Sequence, residues 1–394
     1  MTTRDLDLLT AACDPATFGR GNEDVYDESY RKAVKMDASN FSVQLDLGSS
    51  GLMGTIEDQL LRGESQKMYI RPEPYKLNVY GNYRSWCLPS CLVLYRCIRE
   101  GKDSFFKAHK DTPRGTDMLG SLVVVYPTPH EGGELVLRHK GHEWKFDANG
   151  LTSSRPSPSL VYIAFYSDIE HEVLKVTSGH RATVTYNLYL VDPASRPGAS
   201  TVAPDLKDAS NLQVALRKLL ESPEFLPDGG TLGFGLVHLY PVTFGMKLQK
   251  MISYLKGEDA DIYRACRELG LQPSLQMIYS DEESGPKYGI MLNEIIHEPC
   301  YDFQNAGETY GDALVRELGG VPVNKVEGAE LNRSYWVSED GGEETGEFIS
   351  WVSPFNERNR LQDVTLAYGN DFSVGYIYCS PCMIVRVAAA IDRM

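Results

Sequence analysis

Four residues of this chain have types and spacing that could do chemistry together: His109 and Asp111 in FFKAHKDTPRG, then His171 and Arg181 in AFYSDIEHEVLKVTSGHRATVTYNLYL. Two imidazoles and one carboxylate on one face of an octahedral iron(II) leave three positions open, which a chelating 2-oxo acid and dioxygen together require. The arginine suits a separate task. Its planar, permanently charged fork matches the far carboxylate of 2-oxoglutarate in a bidentate contact that a lysine makes less specifically. Each piece alone is weak. His109 read singly is a surface residue, and Asp111 is a turn former ahead of Thr112-Pro113, so the chemistry rests on the four residues being brought together.

The segments that must position them read as short strands. After Asp111 come LGSLVVVYP (119–127), GELVLRH (133–139), HEWKFD (142–147), SLVYIAFYS (159–167), HEVLKVTS (171–178) and RATVTYNLYLV (181–191). These are β-branched and aromatic runs, several alternating apolar with polar, broken by Gly, Pro, Asn and Ser. Evenly spaced short strands with turn signals indicate a double-sheet barrel or jelly roll. Such a barrel can hold His109 and Asp111 at the end of one strand while His171 returns on another at the same mouth.

At this point the sequence resembles the 2-oxoglutarate- and iron(II)-dependent dioxygenases of the prolyl 4-hydroxylase-like superfamily, and more narrowly a fungal group within it. The resemblance rests on KLNVYG (76–81), FFKAHKDTPR (105–114), HEGGELVLRH (130–139), AFYSDIEHEV (164–173) and GHRATVTYNLY (179–189). It covers about residues 15–195 and weakly takes in LAYGNDFSVGYIY near the end. It implies an α+β fold: a double-stranded β-helix (jelly-roll) barrel with flanking helices, followed by an α+β C-terminal region. Carried over residue by residue, it makes His109, Asp111 and His171 the iron ligands and Arg181 the 2-oxoglutarate anchor. Thr183, on the same strand face as Arg181, adds a hydroxyl to the same carboxylate, and Tyr80 matches a tyrosine that contacts the co-substrate. The cofactors implied are iron(II), 2-oxoglutarate and dioxygen, with ascorbate as an accessory.

The activity implied is oxidative decarboxylation of 2-oxoglutarate coupled to hydroxylation of an unactivated C–H bond. The substrate would be a protein or peptide, prolyl-type by analogy, or a small molecule. A different class stays open: a non-catalytic 2-oxoglutarate- or oxygen-sensing protein, or an interaction protein, built on the same barrel. Fold analogy does not choose between them.

Other residues read more plainly. Gly132-Gly133 is a tight turn into a strand. Asp168 either orients the His171 imidazole or caps a loop, and His180, beside Arg181, points to the opposite sheet face. His130, His139, His142, His238 and His297 fit no second ligand pattern. Cys379-Ser-Pro-Cys382 has metal-pair spacing but lies in the apolar GYIYCSPCMIVRV, where a turn between buried segments is expected. One departure from the family pattern is NYRSWCLPSCLVLYRCIREG, inserted between Gly81 and Lys102 where a short hairpin is expected. It reads either as a lid over the site or as a translated unspliced intron, and the placement of Tyr80 depends on that hairpin.

Composition narrows the partners. A formal net charge of −15 argues against a nucleic-acid substrate, which needs a basic surface. No long apolar run or secretory layout is present, and the eight cysteines form no disulfide framework. A soluble intracellular protein, cytoplasmic or nuclear, is expected. The expected organisation is an N-terminal helical cap over 1–40, with ESYRKAVKM (28–36) helical, the dioxygenase domain over 41–191, a Pro/Ser/Gly-rich linker over 192–207, and an α+β region over 208–394. Within the last, helices are expected over 208–221, 246–256 and 258–269, and strands over 364–389.

Overall fold

Alternating Val, Leu, Tyr and Thr side chains favour extended chain, and antiparallel ladders dominate the result. A computed structural model describes residues 2–20, 23–63, 65, 68–81, 84–86, 98–100, 103–153, 157, 159–192, 211–243, 246–280, 287–296, 310–326, 346–367 and 373–393. The chain divides into two compact units, Met1–Leu60 with Tyr69–Ser195, and Leu61–Met68 with Arg196–Met394.

The first unit opens with α1 (Thr3–Ala11), held at its start by a reciprocal capping box between Thr2 and Asp5. Then come β1 (Asp14–Pro15), β2 (Phe18–Arg20), β3 (Glu23–Val25), β4 (Arg31–Lys32), β5 (Val34–Asp37), α2 (Leu52–Leu60) and β6 (Tyr69–Gly81). After β7 (Arg84–Trp86) and β8 (Ile98–Glu100) follow β9 (Ser104–His109), β10 (Met118–Val125), β11 (His130–Gly132), β12 (Leu135–His139) and β13 (His142–Phe146). The unit closes with α3 (Ala148–Ser153), β14 (Val161–Tyr166) and β15 (Glu170–Val191).

The spine is β15. Its second half lies between β6 and β10, in the order β1-β5-β6-β15-β10-β14. Its first half pairs with β9, β11 and β12, and these carry β4 and β13. Two curled antiparallel sheets therefore share one strand, which is the jelly-roll arrangement. Leu135, Leu137, Ile163, Phe165, Val173 and Val176 fill one cluster between them. Val34, Val79 and Ala182 form another, against which Leu9 of α1 packs.

Two expectations need correction here. Residues 171–178 and 181–191 are one strand, not two. The break read at Gly179 is a bend, with φ at +69°, where a Cβ would stand 2.1 Å from the Pro129 carbonyl oxygen. Glycine there lets β15 pass from one sheet to the other. The cap over 1–40 is helical only at α1, and 28–36 is not a helix. Arg31 and Lys32 pair with Phe106 and Phe105, and Val34 to Asp37 pair with Val79 to Lys76. Tertiary pairing has overridden local helix propensity. Of the insertion after Gly81, β7 and β8 pair antiparallel from Arg84↔Glu100 to Trp86↔Ile98, and the lid and intron readings otherwise fall outside the described residues. So does most of the linker.

The second unit contains α4 (Asn211–Glu221), β16 (Gly230–Gly235), α5 (Leu248–Met251), α6 (Gly257–Glu268), β17 (Ser274–Ser280), β18 (Tyr288–Leu292) and α7 (Tyr310–Leu318). It ends with β19 (Val321–Asn324), β20 (Ile349–Ser353), β21 (Leu361–Ala367) and β22 (Ser373–Val387). The sheet order is β19-β18-β17-β22-β16-β20, with β21 beside β22. Leu216, Tyr263, Cys266 and Leu314 of the helices pack with Met277, Met383 and Val385 on one face. The expected turn at Cys379–Cys382 is instead continuous strand, Cys379 pairing with Tyr279 and Cys382 with Gln276. An odd spacing along a strand points the two thiols to opposite faces, and they fall in different core clusters, so they form no ligand pair. Among the described residues no helix is long and apolar enough to cross a membrane.

Gly179→Ala should destabilise the protein by roughly 2 kcal/mol or more, because it combines a left-handed backbone with a backbone clash. Urea unfolding, followed by tryptophan fluorescence, measures this.

Candidate metal centre

The strand β9 stops at His109, where Lys110-Asp111-Thr112-Pro113 leaves the ladder and Pro113 has no N–H to offer. Across the ladder His109 stands opposite His171 of β15, and His171 in turn stands opposite Leu137 of β12. The register alone thus places two imidazoles side by side, with ring centroids 4.2 Å apart. Asp111 comes in from the loop. One donor atom from each of His109, Asp111 and His171 lies within 4.8 Å of the others, and His171 Nε2 is 3.8 Å from Asp111 Oδ1.

The surroundings aim these atoms. His109 Nδ1–H donates to the Lys107 carbonyl at 2.7 Å, and His171 Nδ1–H to the Ile169 carbonyl at 3.1 Å. A carbonyl only accepts, so each ring carries its proton on Nδ1 and leaves the Nε2 lone pair free. Backbone carbonyls therefore take the orienting role that Asp168 was a candidate for. Ser121 Oγ donates to Asp111 Oδ2 at 2.5 Å, leaving Oδ1 towards the histidines. Phe106 stacks on His109 with centroids 3.6 Å apart, and the Arg31 guanidinium lies 4.3 Å over the other partner of that stack, the Phe106 ring. Burial, and then the neighbouring His171, push His109 down to about 3. The imidazole is therefore neutral at any ordinary pH.

Arg181 is 1% exposed. It stands opposite Tyr80 in the β6–β15 ladder, and its guanidinium is 5.7 Å from the Tyr80 ring centroid. Its Nε has no hydrogen-bond partner among the described residues, and burial pushes its pKa down with only Tyr80 opposing. A Cβ at Gly133 would meet its Cδ at 2.9 Å, so that glycine makes room for the arginine. Thr183 lies on the same face of β15, its hydroxyl 3.5 Å from the Asn78 carbonyl, at the limit of a hydrogen bond. His109, Asp111, His171, Arg181, Thr183 and Tyr80 all line one cavity of about 540 Å³. His180 faces away and is buried, as expected. Arg138, a further arginine near the mouth in sequence, is taken up by Glu143 at 2.7 Å and Glu172 at 2.6 Å.

These features fit the group that the donor set calls for. Three donor atoms converge, the two imidazoles with their N–H groups turned away, and a buried arginine without an acid partner shares their cavity. Sequence reasoning missed Ser121, Arg31, Phe106 and Lys76 as cavity residues. The signal for Lys76 was present in KLNVYG, whose alternation puts Lys76, Asn78 and Tyr80 on one face.

His109 sets a pH dependence. It takes up a proton near 6.5 when unfolded but only near 3 when folded, so between these values unfolding binds a proton and stability falls as pH is lowered; above 6.5 the contribution is constant. In metal-free protein, His109→Gln should flatten the slope of unfolding free energy against pH in that window by up to about one proton. Urea titrations at several pH values check it.

Residues 93–189 match the family model described as the 2OG-Fe(II) oxygenase superfamily. No curated protein matches the chain. Among solved structures the chain is similar to an oxidoreductase of the 2OG-Fe(II) oxygenase family from Burkholderia pseudomallei, with 18% identity, 47% of this chain and 77% of that one covered, and a TM-score of 0.27. It is also similar to a prolyl-4-hydroxylase of Pseudomonas putida, with 15% identity, 48% and 88% covered, and a TM-score of 0.26. The family match takes in the whole of β9, the loop carrying Asp111 and nearly all of β15, so this segment of the chain is similar to the 2OG-Fe(II) oxygenase superfamily.

Proposed function

We propose that His109, Asp111 and His171 hold iron(II), and that Arg181, with Thr183 and Tyr80, holds the far carboxylate of 2-oxoglutarate. The observation that carries this reading is the buried Arg181, without an acid, in the cavity that also contains the three-donor cluster. Leaving a charge buried and unpaired is expensive, and a carboxylate ligand offsets that cost. When bound, iron(II) with 2-oxoglutarate and dioxygen supplies the oxidation, in which the keto acid goes to succinate and carbon dioxide and a substrate C–H bond is hydroxylated.

The chain's own residues orient and exclude. Lys107 and Ile169 carbonyls fix the imidazole tautomers, and Ser121 occupies one Asp111 oxygen so that the other is left for the metal. Phe106, Phe165, Leu135 and Val173 form the apolar part of the wall and limit water around the reacting centre. A cavity of about 540 Å³ is in the range that holds a small ligand with room to spare. In this reading the substrate is a protein or peptide side chain of prolyl type or a small molecule, ascorbate is an accessory reductant, and the dioxygenase domain expected over 41–191 also takes in the strands of residues 14–37, with 208–394 a separate region.

Prepared without oxygen and given iron(II) and 2-oxoglutarate, the protein should show the weak visible absorption of a chelated keto acid. His109→Ala, Asp111→Ala and His171→Ala should each abolish it; a band that survives all three overturns the ligand assignment. Arg181→Ala should weaken 2-oxoglutarate binding roughly thirty- to several-thousand-fold while metal binding changes little, as read by titration calorimetry with manganese(II). Slow succinate formation without added substrate separates the enzyme from a binding protein on the same barrel.

A further inference from the structure

The cavity is also lined by Lys76 and Arg114. The β6–β15 register pairs Tyr80 with Arg181, Asn78 with Thr183 and Lys76 with Thr185. Four residues along a strand separate Lys76 from Tyr80, roughly 13 Å of backbone, more than a five-carbon diacid held at Arg181 spans. Lys76 therefore marks a second place along the same wall.

That place is built around one ring. Lys76 is only 9% exposed, and its Nζ lies 4.6 Å from the Tyr75 ring centroid. Arg114 comes from the loop three residues after Asp111, with its Cζ 4.7 Å from the same centroid and its Nη2 donating to Tyr75 Oη at 2.7 Å. A ring face compensates a cation in part. Neither side chain has an ion pair with an acid among the described residues. Acid partners are not scarce in this chain, in which Asp and Glu outnumber Lys and Arg by 54 to 39. Another deeply buried cation, Lys325 of the second unit, is paired with Glu357 at 2.7 Å. Of the acids near them in sequence, Glu73 is paired with Arg71 at 3.0 Å and Asp111 belongs to the donor cluster.

We infer that the substrate of this site carries a carboxylate, which Lys76 and Arg114 hold against Tyr75 while the carbon to be oxidised reaches the His109, Asp111 and His171 cluster. Three lysine N–H donors and the remaining N–H groups of the arginine fork can share two carboxylate oxygens. Arg114 is exposed and Lys76 buried, so the pair runs from the rim inwards, the path an entering anion takes. The inference rests on the proposed function for the identity of the metal and co-substrate, but not for the anion site itself.

The test uses the full chain with manganese(II) in place of iron and saturating 2-oxoglutarate, so that no turnover occurs. Two matched pairs of probes are titrated: N-acetylproline against N-acetylprolinamide, and acetyl-Pro-Glu-amide against acetyl-Pro-Gln-amide. Calorimetry gives affinity, and paramagnetic broadening of the probe protons shows whether they lie near the metal. At least one acid should bind about tenfold or more tightly than its amide. Preference within the first pair identifies a free small acid, and within the second an acidic peptide side chain. Lys76→Gln should remove most of that preference, Arg114→Gln a smaller part because it is exposed, and Lys76→Arg should keep it, while manganese and 2-oxoglutarate affinities stay as in the unmodified protein. Circular dichroism shows that the variants are folded. Equal binding of acids and amides overturns the inference, as does a loss of 2-oxoglutarate affinity in Lys76→Gln, which would put Lys76 in the co-substrate site. Failure of the unmodified protein to bind manganese or 2-oxoglutarate refutes the proposed function instead, and the acid and amide comparison by calorimetry on metal-free protein still decides the anion site.

Discussion

Everything in the first unit depends on the ladder that β15 makes with its neighbours on both sides. The strand belongs to two sheets at once, so its register is set by β6 and β10 at one end and by β9, β11 and β12 at the other. A slip by one residue would turn every side chain to the other face, sending His171 away from His109 and Arg181 out of the cavity. The bend at Gly179 lets both registers hold together. A His109–His171 pair fixed by backbone hydrogen bonds is more accurate than one carried on two loops, and only Asp111 is left to a loop, where Ser121 tethers it.

The electrostatics of the cavity run against those of the chain. A protein with a net charge of −15 lines a single space with Arg31, Lys76, Lys110, Arg114 and Arg181 against two acids, Asp24 and Asp111. Arg31 illustrates how such cations are kept without acids. It is 6% exposed, donates to the Thr17 carbonyl and to Asn78 Oδ1 at 2.6 and 2.7 Å, and lies over Phe106. Neutral acceptors and ring faces stabilise the charge without neutralising it, so the cavity stays positive.

The residues of the candidate site were legible because their identity is the signal. His-x-Asp, a later His and an Arg need no structure to be noticed, and the short alternating runs around them announced a β barrel. What was not legible depended on partners distant in sequence. Arg31 lies in a polar stretch whose local preference is helical, and it becomes a strand residue because β9 offers Phe105 and Phe106 to pair with. Lys76 and Asn78 share the face of Tyr80, but polar side chains on a strand are ordinarily read as solvent-facing, whereas the inner wall of a ligand-holding barrel is itself polar. The same reasoning fails in the opposite direction at Cys379 and Cys382, where spacing hinted at a pair and strand parity separates them.

The acid-free burial of Arg181 also ties the durability of the fold to what the cavity contains. An anion that binds only the folded form adds RT ln(1 + [L]/Kd) to its stability, about 2.7 kcal/mol at a hundredfold excess over Kd, which is a large share of the 5–15 kcal/mol typical of a folded domain. The empty protein is then the fragile one, more often open to proteases, and the amount that persists becomes a gauge of how much of the anion is at hand.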